Sequence, residues 1–173
     1  MRREVRFALL GLVIVGLLGF LWWQDGRRDA AEARQATLAE GTRAMKALNQ
    51  ADATFPDQVR ERLAAVGVLA LTQPAQAGDT LEREVVPMFD RYLVTIDVAV
   101  AAAERVLAQR PDRDVARSVE LIRARAATTR TMRDGLAALR GRIAAGATGE
   151  DIARELQAIA MTALRQGLAP PSP

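Results

Sequence analysis

The chain contains no cysteine and no histidine. Without cysteine there is no disulfide, no thiolate nucleophile and no thiolate metal site. Without histidine the commonest general base and metal ligand is missing. Serine occurs only at Ser118 and Ser172, tyrosine only at Tyr92 and lysine only at Lys46. What remains for chemistry is carboxylates, threonines, Tyr92 and Lys46. A carboxylate pair does acid–base work only where a cleft raises one of the two pKa values. No nucleophile–base or metal-ligand motif is present, so the sequence reads as non-catalytic, with no cofactor and no metal. Absence of cysteine also fits an oxidising compartment.

Lysine scarcity matters for charge. The 24 basic residues are arginine except Lys46, and the formal net charge is +3. Arginine hardly titrates, which pushes the isoelectric point up without a large charge excess. Setting aside Arg2, Arg3, Arg6 and Glu4 leaves the remainder near about +1, with both signs interspersed. That is no electrostatic footprint for nucleic acid.

One long apolar run stands out. Phe7–Trp23 has no charged or strongly polar residue. Its length, about 17 residues, is at the short end of what spans a bilayer core and above the usual apolar region of a cleaved signal. Phe7, Leu9, Leu12, Ile14, Leu17 and Phe20 supply the bulk, Trp22 and Trp23 suit the membrane–water boundary, and Arg27 and Arg28 are placed to snorkel. Gly11 and Gly19 share one helix face, a possible site of close helix packing. Ala31-Glu32-Ala33 has the small residues of a cleavage site, but it lies well beyond the apolar run, behind several charges. The expectation is a retained anchor. The short basic head predicts a cytoplasmic N-terminus and a periplasmic body, single-pass in a bacterial inner membrane.

Alanine, leucine, arginine and glutamate dominate the rest, and apolar residues recur at three and four. The fold class is all-α: a single N-terminal transmembrane helix, then an antiparallel bundle of about four to five helices with a long hairpin. The expected organisation is a head at 1–6, an anchor at 7–24, a helical stalk or first bundle helix at 25–53, a bundle at 54–167 and a Pro-rich tail at 168–173. The stalk has a thin stripe of Leu38, Gly41, Met45 and Leu48. Thr54-Phe55-Pro56-Asp57-Gln58 should end it and start a buried helix over about 57–72. Thr72 to Asp79 reads as a loop broken by Pro74 and Gly78. Asp79-Thr80-Leu81-Glu82 then resembles a capping box opening a helix to about Gln109, with Pro87 as a kink.

The hairpin partner is expected over about 112–144. Its seam is Val115, Val119, Ile122, Ala126, Thr129, Met132, Leu136, Leu139 and Ile143, spaced by about 3.5 residues on average, a coiled-coil period. The facing seam includes Phe89, Tyr92 and Ile96. Thr148-x-x-Asp151 marks the start of a last helix.

Asp90, Asp97 and Glu104 are spaced by seven on one stripe. With a turn near 110–111, Glu104 should face Arg117, Asp97 should face Arg123 or Arg125, and Asp90 should face Arg130 or Arg133. A ladder of interhelical ion pairs is the plain interpretation; an acidic ligand or cation site is the sharper one. Thr128, Thr129 and Thr131 with Arg130 and Arg133 offer a small-anion site, against the plainer reading of hydroxyls bonded back to their own helix.

These features favour an accessory, scaffold or assembly subunit whose partners are membrane lipid and other membrane protein subunits or its own copies, with no nucleic acid. An alternative is a ligand-sensing module: a span followed by exported helices is similar in layout to the sensing half of bacterial chemoreceptors and sensor kinases. A further alternative is a phage inner-spanin-like protein, which resembles this chain in size and in having one span before a helical body.

Overall fold

A computed structural model describes the backbone of residues 2–167 and the side chains of residues 30–162. The chain is an all-helical bundle. Helix α1 spans Arg2–Thr72, α2 Pro74–Thr80, α3 Val86–Gln109, α4 Arg113–Ala144 and α5 Gly149–Gly167; one π-helical turn, Leu81–Val85, joins α2 to α3. The chain divides into two compact units, 1–40 and 41–173. Among the described residues no helix is long and apolar enough to cross a membrane. The expected span Phe7–Trp23, its flanking Arg27 and Arg28, the Gly11 and Gly19 face and the tail at 168–173 lie outside the residues whose side chains are described.

Three expectations about helix ends are corrected. Thr54–Gln58 is no break: α1 continues through Pro56. Proline at 56 cannot donate to the Asp52 carbonyl, a cost of about 3 kcal/mol in a helix interior. Burial of Leu48 on one side of the defect and Val59, Leu63 and Val66 on the other offsets it, at roughly 1.5–3 kcal/mol per fully buried side chain. Thr72–Asp79 is no loop either. Gln73 alone leaves the helical path, with φ −144° and ψ 72°, and Pro74 starts α2 at once. Proline suits a first helical turn because its φ is preset and its missing N–H would have had no partner there. Last, Asp79 to Glu82 opens no new helix. The chain is helical throughout this stretch, and Val86 N–H reaches back to the Leu81 carbonyl. This wider turn directly precedes Pro87, which has no N–H to give, so the ladder changes spacing where a normal bond is unavailable.

Helices α3 and α4 form the long antiparallel hairpin. Arg110, Pro111 and Asp112 make the turn, and Asp112 caps α4 by accepting from Asp114 N–H (2.9 Å) and Val115 N–H (3.1 Å). On α4, Val119, Ile122, Ala126, Thr129, Met132, Leu136, Leu139 and Ile143 are all buried, as are Phe89, Tyr92 and Ile96 on α3. The α5 start is capped by Thr148, whose hydroxyl accepts from Asp151 N–H (3.2 Å) and donates to the Asp151 carboxylate (2.7 Å). Gly149 sits against the end of α1: a Cβ there would fall 2.5 Å from the Ala70 carbonyl oxygen. The buried helix expected over about 57–72 is buried only along one side. Leu63, Val66 and Ala70 are buried while Val68 and Leu71 are 65% and 63% exposed. A long helix at the surface of a bundle buries one stripe, and these two residues lie off it.

Two core clusters result. One is built on Leu48, Tyr92, Ile96, Ala99, Ile122 and Ala126. The larger draws on α1, α2, the π turn, α3, α4 and α5, with Val66, Leu81, Phe89, Leu136 and Ile152 among its most buried members. Phe55 packs against both.

Candidate functional site

A cavity of about 490 Å³ lies beside the larger cluster, partly open to solvent. That size falls in the range of small-molecule sites. One face of α1 from Asp52 to Leu71 forms a long wall, Arg125 to Met132 of α4 the floor and Ala153 to Ala160 of α5 the opposite wall. The α1 positions alternate steps of three and one (52, 55, 56, 59, 60, 63, 64, 67, 68, 71), which is one stripe of a straight helix. Gly67 leaves a gap in that wall: a Cβ there meets nothing within 4 Å.

The walls are mainly apolar, with one polar cluster at the Asp52 end. Tyr92 donates its hydroxyl to Asp52 Oδ1 at 2.5 Å, and Arg125 donates to Asp52 Oδ2. Phe55 stacks on Tyr92 with ring centres 3.8 Å apart and planes 12° from parallel, and meets Phe89 edge-on at 5.1 Å. Such ring contacts are worth about 0.5–1.5 kcal/mol beyond their area. They fix Tyr92 so that its hydroxyl reaches Asp52. Burial, with the Asp52 hydrogen bond second, pushes the Tyr92 hydroxyl above its ordinary value. Burial opposes the charge of Arg125, but its bonds to Asp52 and the adjacent Tyr92 outweigh that and raise its pKa. The arrangement is a preset hydrogen-bonding terminus on an apolar channel. Among the described residues no buried side-chain polar atom lacks a partner, and no group of three or more acidic side chains is placed to hold a metal.

The charged stripe of the hairpin lies elsewhere. Arg133 Nε bonds Asp90 at 3.0 Å, Arg130 bonds Asp97 at 2.6 Å and Arg123 bonds Glu104. Only the first pairing is in the expected register. Arg117 enters none of these pairs, and Arg125 serves Asp52 instead of Asp97. The reason is geometric. Side chains lean toward the N-terminus of their own helix, and in an antiparallel pair the two leans add, so each acid meets an arginine further along α4. The pairs are about half exposed. Of the threonines, Thr129 bonds back to the Arg125 carbonyl (2.9 Å) and Thr131 to the Ala127 carbonyl (3.1 Å), while Arg130 and Arg133 are occupied by acids.

Sequence reasoning placed Tyr92 and Met132 on a packing seam, not on a cavity wall, and missed Asp52. A signal was there. Leu48, Asp52, Phe55, Val59, Leu63 and Val66 continue one seam at steps of three and four, with a carboxylate in an apolar register. A charge in such a position must be paired. The only tyrosine and Arg125 supply that pairing.

No protein-family model, no curated protein and no solved structure matches the chain.

Proposed function

We propose that this chain is a non-catalytic, membrane-tethered helical bundle that binds a small apolar ligand in the cavity between α1, α4 and α5, as a ligand-sensing module on the outer face of a bacterial inner membrane. The observation that supports the reading is the cavity itself: about 490 Å³, mainly apolar, with the hydrogen-bonded Asp52–Tyr92–Arg125 cluster in its wall. Bundles commonly build ligand sites between their helices. The tether rests on the apolar run Phe7–Trp23 and its tryptophan and arginine boundary.

The test uses the whole chain extracted in mild detergent and native mass spectrometry. A co-purifying small-molecule mass, absent from a Gly67→Phe variant of equal melting temperature, is the expected result. Identical spectra for the two proteins, together with no compound that raises the melting temperature of one and not the other, would sink the ligand reading.

A second reading, an accessory subunit of a larger membrane complex or self-assembly, is favoured by Val94 and Val98. They lie one turn apart on α3 and are 63% and 53% exposed. An exposed apolar pair of this kind suits a partner surface. Co-migration of the native chain with a large membrane complex supports this reading; a small particle weighs against it.

A further inference from the structure

The shape and charge of the cavity narrow the ligand. Its α1 wall runs from Asp52 to Leu71, which at 1.5 Å per residue is about 28 Å of helix. Its lining is therefore long for its volume, an elongated groove and not a round chamber. A single extended apolar chain fits.

The polar end selects a head group. The charged residues on the walls are Asp52, Arg60 and Arg125; Arg60 is paired with Asp57 at 2.5 Å, so the Asp52–Arg125 pair is the charged part of the polar end. Both carboxylate oxygens of Asp52 already accept bonds, from Tyr92 and Arg125. Arg125 gives one N–H to Asp52 of the five that a guanidinium holds, and the planar fork suits a second carboxylate. The partly buried setting strengthens such a bond over its value in water. The remaining guanidinium N–H groups call for an acceptor, and the planar shape of a carboxylate matches their fork.

We propose that the cavity holds a monocarboxylate with one unbranched apolar chain, of the fatty-acid type, its carboxylate on Arg125 and its chain along the α1 face toward Gly67 and Leu71. This rests on the cavity being a ligand site. Val68 and Leu71 at the lip, exposed although apolar, are covered by the distal chain.

The experiment uses the full chain in phosphatidylcholine nanodiscs. A palmitate analogue bearing a diazirine and an alkyne is photolysed, and the labelled peptides are read by mass spectrometry. Label on the 59–71 and 153–160 segments is expected, competed by palmitate at least tenfold better than by methyl palmitate. Arg125→Gln should remove that preference and leave competition by the ester unchanged, while Arg125→Lys should keep part of it. Gly67→Phe, which enters open space, should abolish label at both segments without lowering the melting temperature. The acid–ester comparison in the unmodified chain needs no variant, so a misfolded Arg125→Gln protein leaves the test intact. Equal competition by acid and ester, or label only outside the groove, overturns the carboxylate assignment. If palmitate fails but uncharged apolar compounds stabilise the unmodified chain and not Gly67→Phe, this inference falls and the ligand-site reading stands. If nothing separates those two proteins, both fall.

Discussion

The bundle has a narrow end and a wide end. At the narrow end, Leu48, Ile96, Ala99, Ile122 and Ala126 pack α1 directly on the α3–α4 hairpin, and small residues let the helices approach closely: a Cβ on Gly41 would fall 2.9 Å from Val106. At the wide end, long side chains (Leu81, Phe89, Leu136 and Ile152) hold more elements together, and α5 is added beside α1. The narrow end is filled. The wide end retains a channel, because α1 and α5 flank α4 without closing over Gly67. Three helices with alanine at their contacts leave no room, whereas a fourth helix laid alongside creates space wherever the facing residues are small. The Asp52–Tyr92–Arg125 cluster sits where the two ends meet.

Substitutions can break this contrast. The largest effect is expected from Leu136→Ala, which empties the centre of the wide core; the side chain is fully buried, and denaturant unfolding should show a loss of about 2–5 kcal/mol. A loss under 1 kcal/mol would mean that the wide end is loosely packed throughout, not only at its channel. Small-to-large changes sharpen the contrast further. Ala99→Leu at the narrow end should cost about 1–3 kcal/mol by overpacking. Gly67→Leu at the wide end should instead stabilise by up to about 1 kcal/mol, through helix propensity alone. Similar responses at the two sites would refute the distinction.

The junction between the ends should respond to alkali. The folded Tyr92 pKa lies above the ordinary value near 10. The folded chain therefore holds this proton more tightly than the unfolded chain. The stabilisation is complete below about pH 10 and declines as pH rises from there toward the folded value. Circular dichroism melts between pH 9 and 12 should fall with a steeper slope for the unmodified chain than for Tyr92→Phe. Parallel curves would remove Tyr92 from the explanation. The smallest effect belongs to the hairpin surface: Asp97→Ala breaks a half-exposed pair and should lower stability by about 0–1 kcal/mol. A drop beyond 2 kcal/mol would show that the ladder, not the seam, holds the hairpin.

The hairpin was largely legible in the sequence. The α4 seam repeats at about 3.5 residues over eight steps, and the Arg110-Pro111-Asp112 stop is strong local punctuation. The rest depended on competition between local and tertiary terms. Pro56 and Pro74 look alike as breakers, yet one is overridden by buried neighbours on both sides while the other starts a helix after a single residue. The ladder was visible as a stripe, but its register depends on how side chains lean, which residue numbering does not carry. Exposure of Val68 and Leu71 could not be read from composition, because an apolar helix gives no sign of which flank its neighbours leave bare. The channel itself depends on α5 meeting the end of α1, a contact between Gly149 and Ala70 across the length of the hairpin.

That last contact bears on synthesis. A ribosome adds about 5–20 residues per second and the N-terminal part emerges first. Residue 70 is therefore complete several seconds before residue 149, and through that interval α5 is absent and α4 is still being added, so the Val59–Ala70 stripe is incompletely covered. Truncated chains ending before the hairpin would present this stripe bare, as a target for chaperones or for neighbouring nascent chains.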